Sequence, residues 1–255
     1  MGIEVSRAAC EFYMTADQIR QEVIRIAIKN HAGHIAPSLS CVDILYVLYY
    51  EIMNENDYFI LSKAHGGYGL YAILAQKGLI PKDKWENFEL PGCVERIPKY
   101  GIEAGCGSLG HGLPMAVGLA WALKLQNRPG RIFCLVGDGE CQEGTTWESL
   151  MFACHHKLDN LHIIIDRNGL QAMEFCKDVI NMNLTSRFAA FGTEPVECYG
   201  HNHEYLKITL NRRTEAQPIV SICNTIKGYG LQCAENVPKF HFRVPTEDEL
   251  SQTNT

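Results

Sequence analysis

Two short, almost purely apolar runs, RIFCLV at 131–136 and LHIIID at 161–166, constrain this chain more than any other feature. Runs of that length with so little polar alternation read as strands buried on both faces, as in a parallel sheet covered by helices. Between them, Thr145 to His156 carries a helical pattern, so strand, helix and strand fit one βαβ unit of about 35 residues.

The alternation extends in both directions. DYFILSKAH predicts a strand ending at Ser62 or Lys63, and EPVECYG, the helical HNHEYLKITLNR and PIVSICNTI continue the pattern toward the C terminus. Helices are expected over 16–30, where Ile19, Val23, Ile26 and Ala27 share a face, and over Ser40–Tyr50. GCGSLGHGLPMAVGLAWALKLQ reads as a glycine-rich turn entering a helix, with Pro114 tolerated near its first turn. Breakers at Pro81, Pro91, Gly92, Pro98 and Gly101 make residues 80–105 irregular, and the polar tail from Thr246 should fray. The expected fold is α/β, a doubly wound, mainly parallel sheet flanked by helices, forming one domain over 1–255 with no linker.

Composition works mainly by exclusion. Hydrophobic residues make up 46% and charged residues 20% of the 255, a globular balance, and the net charge of −6 without a basic stripe argues against nucleic acid. The eleven cysteines are odd in number and form no CxxC pair, which fits reduced core residues in the cytoplasm better than disulfides or zinc. No apolar run approaches membrane-spanning length, and no signal-peptide pattern is present. MGIEVS matches the myristoylation pattern at Gly2 and Ser6, but nothing polybasic follows and the match reads as chance.

The strand ends carry the chemistry. LVGDGECQEG places Asp138 between Gly137 and Gly139 at the end of the first run, and DRNGLQ places Asn168 just past the second, 30 residues on. In open α/β sheets ligands bind outside the carboxyl ends of the strands. A carboxylate and an amide oxygen on adjacent ends suit a hard cation such as Mg²⁺, which completes its shell with water and substrate phosphates. Glycines at 137 and 139 would let the backbone approach a phosphate. No lysine cradle is evident here, so the metal would carry the counter-charge. The plain alternative is a tight turn with Asp138 capping the next helix, since Gly and Asp are common turn residues. Glu140 and Glu143 are acid/base candidates, although acidic residues also favour a helix start through its dipole.

GDG, an apolar strand and an Asn 30 residues after the Asp resemble the fingerprint of thiamin diphosphate enzymes. The surrounding words narrow it. IRQEVIRIAIKNHAGHIAPSLSCVDIL, FILSKAHGGYGLYAILAQKGLIP, GIEAGCGSLGHGLPMAVGLA, VGDGECQEGTTWESLMFACHHKLDNL, DRNGLQ, TIKGYG and NVPKFHFRVPTEDEL resemble transketolase, in that order, from about Ile19 to Leu250. The length resembles the amino-terminal subunit of a split transketolase.

The resemblance implies that Asp138, Asn168 and the carbonyl of Leu170 ligate Mg²⁺, with Ca²⁺ or Mn²⁺ as substitutes. It implies that His65 and His241 contact the diphosphate or the donor sugar and that His34 faces the substrate channel. Gly107 and Leu109 would line the cofactor's rings, and Gly139 would give its N–H to phosphate, with Gly137 and Glu140 beside it. His111 stands where the family usually has Gln; it could cap a helix or reach the cofactor. His155, His156, His162, His201 and His203 match nothing and read as surface or satisfied core residues. Two departures stand out: Gly92-Cys93-Val94 replaces the usual Gly-His-Pro, a thiol being a weak hydrogen-bond partner, and Ala172-Met173-Glu174 replaces the usual IDG.

In the resembled family the cofactor's ylid attacks a ketose carbonyl and carries two carbons to an aldose. The activating glutamate lies in a pyrimidine-binding domain that this sequence lacks. The implied protein is silent alone and pairs with a carboxyl-terminal partner chain in a heterotetramer of two copies of each. Two other readings stay open: a thiamin diphosphate enzyme chain with a different donor, such as a 2-oxo acid or an unusual ketose, and a non-catalytic binding module.

Overall fold

The computed structural model describes residues 14–251; the candidate myristoylation pattern at Gly2 and Ser6 lies outside the described residues. Helix α1 (Ala16–Lys29) opens on a capping box, in which Gln18 N–H donates to Thr15 Oγ1 and Thr15 N–H donates back to Gln18 Oε1. A short helix that was not expected, α2 (Ile35–Leu39), precedes the one expected over 40–50, which forms as α3 (Val42–Val47) and continues as a π turn over Leu48–Ile52. The break falls at Ser40–Cys41, where Ser40 Oγ donates to Asp166 across the fold rather than facing solvent.

Strand β1 (Tyr58–Leu61) leads to α4 (Gly67–Gln76), a helix the sequence pattern hid: it is buried from Gly67 to Leu74 and has no polar face to mark its period. The segment expected to be irregular contains a short helix, α5 (Lys82–Glu86), anchored by the buried Trp85. Then come α6 (Gly112–Leu125), β2 (Ile132–Gly137), α7 (Gly144–His155), β3 (Leu161–Arg167), α8 (Cys176–Val179) and α9 (Leu184–Ala190). Strand β4 (Val196–Tyr199), α10 (His203–Leu210) and β5 (Ile219–Asn224) complete the alternation. The tail expected to fray from Thr246 is helical as far as the described residues run. Helix α11 (Glu247–Ser251) forms there because Thr246 and Glu249 make a second capping box.

The five strands form one parallel sheet in the order β1-β2-β3-β5-β4. All six residues of β2 and the first six of β3 are buried, which is why their sequences lack alternation. Helix α6 lies across β1, β2 and β3 and packs on α7, while α10 lies against β4 and β5 and packs on α3. Pairing sets Gly137 beside Asp166 and Asp166 beside Cys223, so β2, β3 and β5 deliver their following loops to one edge.

Helix α6 meets that edge closely. A Cβ on Gly112 would lie 2.5 Å from Ser62 Cα, whereas one on Gly118 would meet nothing within 4 Å. Gly112→Ala should therefore destabilise the fold by about 1–3 kcal/mol through overpacking, and Gly118→Ala should stabilise it by roughly 0.5–1 kcal/mol through helix propensity. Urea unfolding of both variants checks the pair; equal midpoints would contradict this packing.

Candidate active site

The Asp138 carboxylate joins the ends of two strands. Its Oδ1 accepts from Gly139 N–H at 2.8 Å and its Oδ2 from Gly169 N–H at 2.6 Å, with the Cys176 thiol alongside. The first of these bonds is the plain capping role, since Asp138 heads a 3₁₀ turn over Gly139–Gln142. The second reaches across to the loop after β3 and is not explained by capping. There Asn168 Oδ1 accepts from Leu170 N–H at 3.1 Å, an Asx turn that holds the loop. Asp138 and Asn168 thus lie on two touching loops at adjacent strand ends.

The glycines have protein neighbours. Gly139 spends its N–H on Asp138, and a Cβ there would lie 2.8 Å from Gln171 Cγ. Gly137 N–H donates to Glu140 Oε2 at 3.0 Å. Glu140 also accepts from Gly110 N–H at 2.7 Å and from Ser62 Oγ, so its buried carboxylate braces β1, β2 and the glycine-rich turn. Glu143 is exposed at the head of α7 and makes no side-chain cap. Gly107 faces open space and Leu109 is exposed at the lip of the same turn. His111 occupies the N-cap position of α6 without a side-chain capping bond.

Three histidines from distant parts of the sequence converge. The His34 ring centroid lies 5.8 Å from His65 and 5.4 Å from His241, and His65 lies 5.2 Å from His241. His34 sits in the left-handed region at φ 62°, next to Gly33, where a Cβ would strike Phe242 O at 2.5 Å. Burial, then the charge of Lys227, pushes the His241 imidazole down to about 3 and lowers His34; burial and Lys63 put His65 well below its ordinary range. All three rings are neutral at pH 7. Cys93 is half-buried, and the next residue's N–H, from Val94, donates to Ala64 O beside His65. Ala172, Met173 and Glu174 form a tight turn closed by Gln171 N–H to Glu174 O, with Met173 projecting into solvent.

The expectation that no lysine serves this edge is wrong. Lys63 and Lys227, inside FILSKAH and TIKGYG, are both buried against it. Lys63 Nζ pairs with Asp166 and donates to Pro37 O at 2.9 Å. Lys227 Nζ donates to Leu170 O at 3.3 Å, Gln171 O at 2.7 Å and His241 Nδ1 at 2.7 Å. Lysines are common enough that only the fold singles these out; their sequence mark is a strand end followed within three residues by Gly.

Charge compensation separates these four groups. Burial would raise Asp166, but Lys63 outweighs it and holds the carboxyl below its usual range. Asp138 has no ion-pair partner among the described residues: burial, then repulsion from Asp166, pushes it up to about 6. Burial, then repulsion from Lys63, pushes Lys227 down to about 8, with no ion pair among the described residues. Among the described residues the crevice therefore holds a buried carboxylate, Asp138, and a buried ammonium, Lys227, neither of them in an ion pair, although each feels the other's charge at longer range. Among the described residues no three His, Cys, Asp or Glu side chains cluster as a metal site. A set of one carboxylate, one amide oxygen and one backbone carbonyl contains only one such side chain, and its hard oxygens fit Mg²⁺.

The raised Asp138 group favours the protonated native state. Its stabilising effect is complete below pH 3.8 and is lost as pH rises through about 6. In metal-free buffer, wild type should lose stability relative to Asp138→Asn between pH 4 and 6.5. The loss should be at most roughly 3 kcal/mol, the free energy of weakening an acid about a hundredfold. Parallel stability–pH curves from urea unfolding would contradict an uncompensated carboxylate.

Residues 13–255 match the family described as transketolase, thiamine diphosphate binding domain. The chain is 38% identical over 257 residues to an apulose-4-phosphate transketolase subunit of Actinobacillus succinogenes, covering 94% of this chain and 93% of that protein. It is 32% identical over 252 residues to a 6-deoxy-6-sulfo-D-fructose transketolase subunit of a Clostridium species, covering 91% of each. Among solved structures, transketolase from Campylobacter jejuni matches with a TM-score of 0.80 at 29% identity, over 93% of this chain and 42% of that one. Transketolase from Leishmania mexicana matches in fold with a TM-score of 0.82 at 24% identity, over 94% of this chain and 41% of that one. The chain thus spans about two fifths of the solved transketolases it matches. With its parallel sheet, paired strand-end loops and matched length, this chain belongs to the thiamine diphosphate-binding domain family of transketolases.

Proposed function

We propose that this chain is the amino-terminal subunit of a two-chain transketolase, moving a two-carbon ketol unit between sugar phosphates with thiamin diphosphate and Mg²⁺. The observation that carries the reading is the crevice's two buried charges without an ion pair among the described residues, which a cation on Asp138 and a diphosphate on Lys227 would neutralise together. Asp138, the Asn168 amide oxygen and Leu170 O would hold the cation. Lys227, His65 and His241 would meet the diphosphate or donor, with Gly107 and Leu109 along the rings. When bound, the cofactor supplies a carbanion equivalent for breaking and making carbon–carbon bonds.

The chain's own residues supply orientation and hydrogen bonding. Lys227 donates to Nδ1 of His241, so that ring carries its proton on Nε2 and offers it as a donor. His34 and His65, neutral and partly dry, can each give one hydrogen bond and accept one from sugar hydroxyls.

In this reading 1–255 is a single pyrophosphate-binding domain, and a partner chain brings the pyrimidine-binding domain with its glutamate, in a heterotetramer. The relatives named as subunits, matched over more than nine tenths of their length, support a division into chains. So do exposed Met115 and Leu125 on α6 and Met151 on α7, apolar groups suited to a protein contact. Ten free cysteines among the described residues support the cytoplasm as its compartment.

The donor we propose is a ketose with an anionic far end. Relatives named for apulose 4-phosphate and 6-deoxy-6-sulfo-D-fructose support that class over a 2-oxo acid. Burial raises the Cys93 thiol, leaving it neutral and a poor substitute for an imidazole at that lip.

Purified alone, the chain should show no ketol transfer. With its partner chain it should be active, lose activity in EDTA and regain it with Mg²⁺, as a coupled assay of ketose cleavage reads out. Turnover by the isolated chain would contradict the two-chain reading. In the assembled enzyme Cys93→His should raise kcat/KM for an ordinary ketose phosphate by roughly tenfold, the worth of one neutral hydrogen bond; no gain would remove Cys93 from donor recognition.

A further inference from the structure

Lys227 reaches the crevice from the loop after β5, and that loop is tied down at the residue just before the lysine. Ile226 N–H donates to Nε2 of His201 at 2.9 Å. The His201 side chain is fully buried, and its Nδ1 lies 2.7 Å from Asp43 Oδ2. A backbone amide can only donate, so Nε2 is the bare nitrogen and Nδ1–H donates to the carboxylate. Asp43 is itself fixed from two other sides, by Arg20 Nη2 of α1 at 2.5 Å and by His203 Nε2 of α10 at 3.0 Å. Tyr229, two residues after Lys227, stacks on the His201 ring at 3.7 Å and lies under the Arg20 guanidinium at 4.7 Å. The loop closes around this assembly: a Cβ on Gly230, at φ 83°, would sit 2.3 Å from Arg20 Cδ.

A second set of ties fixes the other side of Lys227. Gly228 N–H donates to Ala36 O at 3.0 Å, and Asn236 N–H donates to Lys227 O at 2.9 Å. The backbone at 226–228 is therefore held by α2 and by His201, and the lysine side chain is left to point at Leu170 O, Gln171 O and His241. A histidine that merely filled space would not need both ring nitrogens engaged, one on a buried carboxylate and one on the amide beside the lysine.

From this relay we infer that His201, oriented by Asp43, is a positioning residue that sets Lys227 for the diphosphate. The inference deepens the proposed function and rests on it for the ligand, but the anchoring itself is a property of this chain alone. Replacing His201 by Phe keeps the ring and the stack and removes the acceptor; Gln restores an acceptor near the Nε2 position.

Two measurements test it. In the isolated chain, His201→Phe should speed amide hydrogen exchange at Ile226, Lys227 and Gly228 relative to the central strands, and His201→Gln should slow it again. Unchanged exchange in the Phe variant would overturn the anchor whatever the ligand is. In the assembled enzyme, His201→Phe should raise the KM for thiamin diphosphate by roughly tenfold to a hundredfold, as expected when a buried donor loses its acceptor, with kcat at saturation nearly kept. Added to Lys227→Met it should cost little more, because both act through one contact. Additive losses, or a fall in kcat without a change in KM, would overturn the positioning role. Absence of any cofactor binding by the wild-type complex would instead refute the functional reading and leave the exchange result standing.

Discussion

The Asp138 carboxylate, accepting from Gly139 and Gly169, locks the loop after β2 to the loop after β3. Both donors are neutral peptide dipoles, so the bonds satisfy its oxygens without cancelling its charge. A buried carboxylate in that condition is costly unless a cation joins it. Its neighbour Asp166, one strand over and buried more completely, shows the opposite case, because Lys63 neutralises it. The two lysines divide in the same way: Lys63 is raised by its carboxylate, against the pull of burial, and Lys227 is left lowered. One ion pair holds the sheet edge together and one separated pair of charges is left for ligands.

Much of this was legible in the residues themselves. RIFCLV and LHIIID could only be central strands, and their pairing put Asp138 and Asn168 on touching loops. The convergence of His34, His65 and His241 came from the family resemblance and could not come from spacing, since more than 170 residues separate the last two. What stayed hidden had physical reasons. Helix α4 lacks a polar face, so its period left no trace. Lys63 and Lys227 are ordinary residues until burial strips their solvent. His201 looked like a filler because its partners, Asp43 and Ile226, lie 158 and 25 residues away. Helix α11 was legible and overlooked, for Thr246 and Glu249 spell a capping box.

The elements around the crevice share out the work. Helices α1 and α3 with His201 hold the loop after β5, Glu140 holds the turn before α6, and Asp166 holds α2 through Ser40 and Lys63. Arg20 Nε apart, the groups of these braces are hydrogen-bonded within the fold, and Asp138 and Lys227 remain the buried charges of the crevice without an ion pair among the described residues.

The most direct test is a crystal structure of the two-chain complex grown with Mn²⁺ and thiamin diphosphate, with data collected for the anomalous signal of manganese. The account predicts one peak within roughly 2.0–2.6 Å of the Asp138 carboxylate, the Asn168 amide oxygen and Leu170 O, with diphosphate oxygens completing the shell beside Lys227. A metal bound elsewhere, or a diphosphate seated with Asp138 and Asn168 facing separate cavities, would contradict it.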